Sequence, residues 1–358
     1  MNNDWKLRAA ESLATTKIQH HHYERAVNDL FNALAVALPG EVVVIVGPSR
    51  VGKSRALAEA LNLLVGTLER GNESPVIKID AENAGRNGAF STKDFMRSAC
   101  EAIGHPIYGF AGSDDPNGMK LAARIERTSE GMLRSAFEKF VVAKSIQYVC
   151  VDESHHIEYI QGGSKNAAKV LDSWKCLAHK TQTVLVLVGS YRLLGLLALA
   201  PHLLGRQRPI EFPRYREENP DDLEAFEAIL TTLSNQLRLG AERQDLRQWN
   251  ELLFNWSLGC VGHLALWLRT ALGRIASRGL SSLNRETLEQ TRLPASQAAQ
   301  ILAETLQGEH DIKASPDREA PEQSPGYPSG PRLTAKQSKT SAKPFRAKPA
   351  RHKAGGRL

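Results

Sequence analysis

A chain of 358 residues, 42% hydrophobic and 24% charged, has the size and make-up of a water-soluble protein with one large domain or two modest ones. No run reaches the ~18 uninterrupted apolar residues of a membrane span. Leu193–Leu204 is short and broken by Pro201, and the first 20 residues are too polar for a signal peptide, so the expectation is a cytoplasmic protein without a membrane partner. Cys100, Cys150, Cys176 and Cys260 form no CxxC pair, which argues against a zinc ribbon or a disulfide framework. The net charge of +7 is concentrated at one end. From Lys313 onward there are eleven Lys/Arg against three Asp/Glu, a balance of +8, which leaves the rest of the chain at −1.

In chain order, Trp5–Leu38 has helical spacing, with Tyr23, Val27, Leu30, Phe31 and Leu34 on one stripe and Pro39-Gly40 as its stop. Val42–Val46 is an unbroken β-branched run, as in a strand buried on both faces of a parallel sheet. A helix is expected over Lys53–Glu69, a strand over Val76–Asp80, and a helix over Thr92–Ile103 capped by Ser91. A Gly/Pro/Asp-rich excursion at His105–Gly118 precedes one long helical pattern, Lys120–Lys144. Strands at Ile146–Val151 and Thr183–Val188 flank a helix at Ala167–His179. A short helix at Tyr191–Leu199 and a strand at Pro209–Phe212 follow. From Asp221 to about Leu306 the pattern is helical, with breaks near Leu239–Ala241, Ser257–Gly259 and Gly279–Asn284. Alternating strands and helices imply a doubly wound α/β parallel sheet. Residues 1–40 read as an N-terminal helical segment, 41–218 as the α/β core, 219–306 as a helical domain, and 307–358 as a disordered basic tail too poor in apolar residues to fold.

The chemistry is carried by Gly47-Pro48-Ser49-Arg50-Val51-Gly52-Lys53-Ser54, a full GxxxxGK[ST] between a strand and a helix, with Arg55 following. Glycines let backbone N–H groups converge on phosphate oxygens at a helix N-terminus. Lys53 reaches the β- and γ-phosphates of ATP, and the Ser54 hydroxyl ligates Mg²⁺. Tyr148-Val-Cys-Val-Asp152-Glu153 delivers two acids at the end of a strand. Asp152 is assigned to the Mg²⁺ shell and Glu153 to polarising the attacking water. Ser190, after the Thr183–Val188 strand, either orients that water or caps the next helix. Arg206 and Arg208, ahead of Phe212-Pro213-Arg214-Tyr215, are candidates for a finger completing a neighbouring subunit's ATP site.

Other features carry less. His20-His21-His22 reads as a polar helix start, because neighbouring helical histidines point in different directions. His155 and His156 do not form HExxH. Asp152-Glu153-Ser154-His155 resembles the DExH box of helicases, but the segment after His156 is too short and too helical for a second motor domain.

This order of elements resembles an AAA+ ATPase, and more closely the transposon-encoded AAA+ regulators of the TniB/TnsC type. The residues responsible are Gly47–Ser54, Val149–His156, Val184–Ser190 and Arg206–Tyr215, with Leu223–Leu237 and Gly259-Cys-Val-Gly-His-Leu264 fitting the lid. The likeness spans about residues 20–300. It implies a P-loop NTPase (AAA+) core with a small C-terminal helical lid, and assembly into homo-oligomeric rings or filaments on double-stranded DNA. It also implies that the assembly links a target-selection protein of the TniQ type to a transposase, with ATP hydrolysis driving disassembly. Arg86, Lys93, Lys120, Arg124 and Lys165, in or near the loops after the second and third strands, are the candidate DNA contacts. Where many lids carry an arginine at the start of the Gly259–Leu264 helix, this chain has Gly262 and His263. An AAA+ module acting on a protein partner and a non-hydrolysing nucleotide-gated scaffold are the alternatives.

Overall fold

Five short strands, three of them almost wholly apolar, build the centre of the molecule. The structure is a computed structural model that describes residues 18, 20–66, 74–109, 116–200, 203, 209–239, 242–243, 245–279 and 282–314. The strands β1 (Val42–Val46), β2 (Val76–Asp80), β3 (Tyr148–Asp152), β4 (Val184–Gly189) and β5 (Ile210–Glu211) form one parallel sheet in the order β2-β3-β4-β1-β5. The period of two along a strand divides the core into two layers. Val42, Val44 and Val46 of β1 pack with Leu185 and Leu187 of β4 and with Val149 and Val151 of β3 on one face. Val43 and Ile45 pack with Val184, Val186 and Val188 on the other. β2 lies at the edge, and its residues alternate between buried and exposed, which leaves Lys78 and Asp80 outward.

Helices cover both faces. α1 (His21–Val36) lays Tyr23, Ala26, Val27, Leu30 and Leu34 against α2 (Lys53–Val65) and the sheet. Full burial of Leu30 and Leu34 contributes roughly 1.5–3 kcal/mol each. The segment up to residue 40 is therefore, where described, part of the core layer. The opposite face carries α3 (Thr92–Ala102), α5 (Glu130–Ala143), α6 (Ser164–Thr181) and α7 (Arg192–Ala198). Ser91 caps α3 as expected, accepting from the Asp94 N–H.

The long helix expected over Lys120–Lys144 is two: α4 (Pro116–Glu126) and α5, separated at Arg127–Ser129. Ser129 is in an extended conformation and accepts from the Met132 N–H, a local cap that overrides the continuous apolar spacing.

After β5 come α8 (Pro220–Gln236), a two-stranded hairpin of β6 (Arg238–Leu239) and β7 (Glu242–Arg243), α9 (Asn250–Ser257), α10 (Val261–Arg278), α11 (Arg285–Thr291) and α12 (Ala295–Lys313). Phe226, Leu230, Leu253, Leu264, Leu268 and Leu272 give this region its own core, and the Trp267 indole N–H donates to Leu288 O at 3.0 Å. α12 runs to Lys313, past residue 306 where the sequence pattern ends the helical region. Residues 315–358 of the expected tail lie outside the described residues. No helix among the described residues is long and apolar enough to cross a membrane.

Candidate active site

β1 and β4 end side by side, Val46 opposite Gly189, and β3 flanks β4. The strand order therefore brings the segments after β1, β3 and β4 to one edge, the carboxyl edge where open α/β sheets bind ligands. Gly47–Ser54, Asp152-Glu153 and Ser190 all emerge there, although they are far apart in sequence.

The loop after β1 is shaped by close approaches. A Cβ on Gly47 would lie 2.2 Å from the Phe212 carbonyl oxygen, so only glycine fits. Arg50 (φ 57) and Gly52 (φ 113) turn the chain through the left-handed region into α2. Pro48 and Val51 are buried, whereas Ser49, Arg50 and Arg55 are exposed. The Lys53 ammonium donates to Gly47 O (3.0 Å) and Pro48 O (2.7 Å), folding its own loop around it. Burial pulls its pKa below the ordinary lysine range, opposed by the carboxylates of Glu153 and Asp152.

Ser54 donates to Asp152 across the mouth of this loop. Lys78 Nζ, from the edge strand, stands 3.0 Å from Asp152 Oδ2. Burial alone would raise the Asp152 carboxyl. The hydrogen bonds from Ser54 and Lys78, the Lys78 charge and the Glu153 N–H together outweigh it and hold the group below the ordinary aspartate value. A hydroxyl and an ionised carboxylate in contact are an oxygen donor pair that suits Mg²⁺.

Glu153 leaves β3 in the left-handed region (φ 51, ψ 32), and its carboxylate is exposed toward the edge. His155 Nδ1 accepts the Ser190 backbone N–H at 3.3 Å and lies 3.4 Å from Glu153 Oε2. Burial lowers its pKa to about 4, helped by the charges of His156, Lys53 and Arg192. The ring is thus neutral, with its proton on Nε2. His156 Nδ1 donates to Ala81 O at 2.9 Å. Ser190 Oγ accepts from Arg192 N at 3.4 Å, but the N-cap of α7 is Tyr191, which makes no side-chain capping bond.

Residues 39–197 match the family described as an AAA domain. No curated protein matches the chain's sequence. Among solved structures, the ORC1 protein of Aeropyrum pernix in complex with DNA superposes with a TM-score of 0.53 at 17% identity, over 77% of this chain and 65% of that one. The ORC2 protein of Aeropyrum pernix in its ADP form superposes with a TM-score of 0.51 at 12% identity, over 77% of this chain and 68% of that one. This chain therefore spans just under two thirds of the ORC1 structure. Together with the match over residues 39–197, these likenesses show the fold alone, an α/β P-loop NTPase fold of the AAA+ kind.

The helical region reaches the end of β1 and the phosphate loop through the Phe-Pro-Arg-Tyr segment. Phe212 N–H donates to Val46 O (2.8 Å), and Tyr215 N–H donates to Gly259 O (2.9 Å). A Cβ on Gly259 would lie 2.0 Å from Tyr215 O, and one on Gly262 would lie 2.0 Å from Arg50 O. The start of α10 thus rests directly on the phosphate loop. His263 is buried beside Arg50, and burial lowers its pKa to about 4. α12 also reaches this edge. Glu304 accepts from Arg192 Nε (3.1 Å), and Glu309 from Arg214 Nε (3.0 Å), with Arg216 Nε 3.4 Å away.

Arg206 and Arg208 lie outside the described residues. Arg214, in the segment after them, is buried against Glu309 of its own chain. Of the candidate DNA contacts, Lys120 and Arg124 are exposed one turn apart on α4, and Lys165 is exposed at the start of α6. Lys93 donates to the Glu126 carbonyl, and the Arg86 side chain lies outside the described residues. Sequence reasoning missed Lys78, Arg192 and the α12 acids, and it discounted His155. A charged residue on an edge strand gives no signal of its own, but the DExH likeness had already marked His155.

Proposed function

We propose that this chain is an ATP-dependent, DNA-binding AAA+ regulator of transposition, and that it hydrolyses ATP with Mg²⁺. One observation supports the ATPase most directly: the Ser54–Asp152 contact across the mouth of the phosphate loop, with Glu153 next in the chain. Lys53, now bonded to Gly47 O and Pro48 O, exchanges these carbonyls for the β- and γ-phosphate oxygens when nucleotide enters. Ser54 and Asp152 would hold Mg²⁺, which would supply charge neutralisation at those phosphates. Glu153 polarises a water for in-line attack and takes its proton. Ser190, fixed through its N–H to His155, orients that water from the β4 side.

Assembly and DNA binding rest on the resemblance to TniB/TnsC-type regulators at Gly47–Ser54, Val149–His156 and Arg206–Tyr215, and on the likeness in fold to a protein solved with DNA. In this reading Arg206 or Arg208 completes the ATP site of a neighbouring subunit. Lys120, Arg124 and Lys165, with Arg86 and Lys93, track phosphates without reading bases. The basic tail from Lys313 adds salt-dependent affinity. The assembly then connects a TniQ-type selector to the transposase, and hydrolysis releases it.

Electron microscopy of the protein with duplex DNA, with and without ATP, tests this. Rings or filaments that need both ligands are expected. ATP-dependent assembly that ignores DNA identifies a protein-directed AAA+ machine instead.

A further inference from the structure

The first turn of α1 and the first turn of α8 meet at a cluster that the nucleotide site does not use. His21 and His22 open α1, and Asp222 is the third residue of α8. Contrary to the expectation that neighbouring histidines diverge, the His21 and His22 rings lie with centroids 4.3 Å apart at the helix start. One ligand-type atom from each lies within 4.8 Å of the other two. His22 is 6% exposed and Asp222 3%. Both ring nitrogens of His22 and Asp222 Oδ1 are buried without a hydrogen-bond partner, a condition native interiors rarely tolerate.

Their separation is informative. His22 Nε2 stands 3.2 Å from Asp222 Oδ1 without hydrogen-bond direction. Two ligands bound at 2.0–2.1 Å to one tetrahedral ion stand about 3.3 Å apart. We infer that His21, His22 and Asp222 form a site for a first-row divalent ion of the Zn²⁺ class, which ties α1 to α8, the first helix after the sheet.

The surroundings fit that role. The Arg216 N–H donates to Asp222 Oδ2 at 2.9 Å and orients the carboxylate, leaving Oδ1 for the ion. The Tyr215 ring packs on His22 with centroids 4.4 Å apart and fixes the imidazole plane. The two facing cations are matched by acids of their own: Arg25 by Asp29, and Arg216 by Glu211 and Glu309. His21 is exposed, which gives the ion access and leaves its fourth position to water. Imidazole donors select Zn²⁺ over Mg²⁺ and Ca²⁺.

His20 is not a ligand, because its Nδ1 is engaged by the Tyr215 hydroxyl (2.8 Å) and the Tyr23 N–H (3.3 Å). In the second cluster of this kind among the described residues, Glu153, His155 and His156, His155 Nδ1 accepts the Ser190 N–H, so its proton sits on Nε2 and the ring offers no free lone pair.

The test is titration of the tag-free, metal-stripped full chain with Zn²⁺ against a chromophoric chelator, repeated with Co²⁺ to read its visible absorption. One equivalent is expected, unaffected by excess Mg²⁺, with the absorption of a four-coordinate Co²⁺ site. His21→Ala, at an exposed position that the fold does not need, should weaken binding by about tenfold or more. Asp222→Asn should abolish binding. Absence of Zn²⁺ binding by the unmutated chain overturns the site. So does binding that survives His21→Ala unchanged or is lost only in Glu153→Gln.

Discussion

Gly262, at the start of α10, is close enough to the phosphate loop that a Cβ there would lie 2.0 Å from the carbonyl oxygen of Arg50. The rigid partner is backbone, so neither side can yield cheaply. In most helices Gly→Ala gains about 1 kcal/mol from propensity. Here overpacking reverses the sign and costs about 1–3 kcal/mol. Gly262→Ala should lower the melting temperature and weaken ATP binding together, by pushing α10 off the loop. Gly273, on the same helix with open space where its Cβ would go, is the control: Gly273→Ala should stabilise the chain by about 0.5–1 kcal/mol. Calorimetric melts and a nucleotide titration of the two variants check both signs.

The two residues that anchor the proposed chemistry should fail differently. Lys53→Ala removes the ammonium that joins the loop to the phosphates and should abolish ATP binding. Glu153→Gln keeps shape and removes charge. It should bind ATP, slow hydrolysis by about 100-fold or more, and hold the protein in its assembled state. Equilibrium binding and single-turnover hydrolysis, measured on the same preparations, separate the two roles. Loss of binding in the Glu153 variant would make that residue structural.

Much of this site was legible because its signals are local and redundant. A strand, a complete GxxxxGK[ST] and a helix start occur within a dozen positions, and Val149–Asp152 reads as a buried strand ending in acid. The unbroken runs Val42–Val46 and Val184–Val188 predicted central parallel strands, and they occupy the middle of the sheet. What escaped depends on packing between distant segments. Nothing near Lys78 announces that the sheet register carries it to Asp152. Gly308 allows α12 to close on the Tyr191 ring, where a Cβ would lie 2.1 Å from the ring, so the helix persists past residue 306 for a tertiary reason. At Arg127–Ser129 a single capping serine outweighed a continuous apolar stripe.

Three buried histidines and the half-buried His155 make the chain acid-sensitive. Burial lowers His20 to about 3 and His22, His155 and His263 to about 4, against an ordinary value of 6.5. Between pH 6.5 and 4 the unfolded chain binds protons that the folded chain refuses. Their contribution is therefore complete above pH 6.5 and is lost as pH falls toward 4. Each group accounts for at most about 1.4 kcal/mol per pH unit in that window. The melting temperature should fall steadily from pH 7 to pH 5, and His155→Asn should make the fall shallower. An unchanged slope in that variant would mean that His155 titrates normally in the folded protein.

The last prediction concerns Arg214 and Glu309. Their side chains are both more than nine-tenths buried, with Arg214 Nε–Glu309 Oε1 at 3.0 Å and a second contact at 3.4 Å. Removing one partner of such a pair strands the other charge, so Arg214→Met should cost about 3–5 kcal/mol. Replacing both by apolar residues of similar size removes the stranded charge as well as the attraction. The double variant Arg214→Met with Glu309→Leu should therefore recover most of the loss, although Arg216 gives up its 3.4 Å contact with Glu309 and keeps only Glu211. Hydrolysis decides whether the pair does more than hold α12. An arginine that reached a neighbour's phosphates would leave the double variant stable but inactive. Arg214 is turned into its own chain, so the expected outcome is a double variant that regains both its melting temperature and its ATP turnover. Melting curves and steady-state hydrolysis of the two single variants and the double complete the cycle. Restored stability with turnover still absent would make Arg214 itself the residue that acts between subunits.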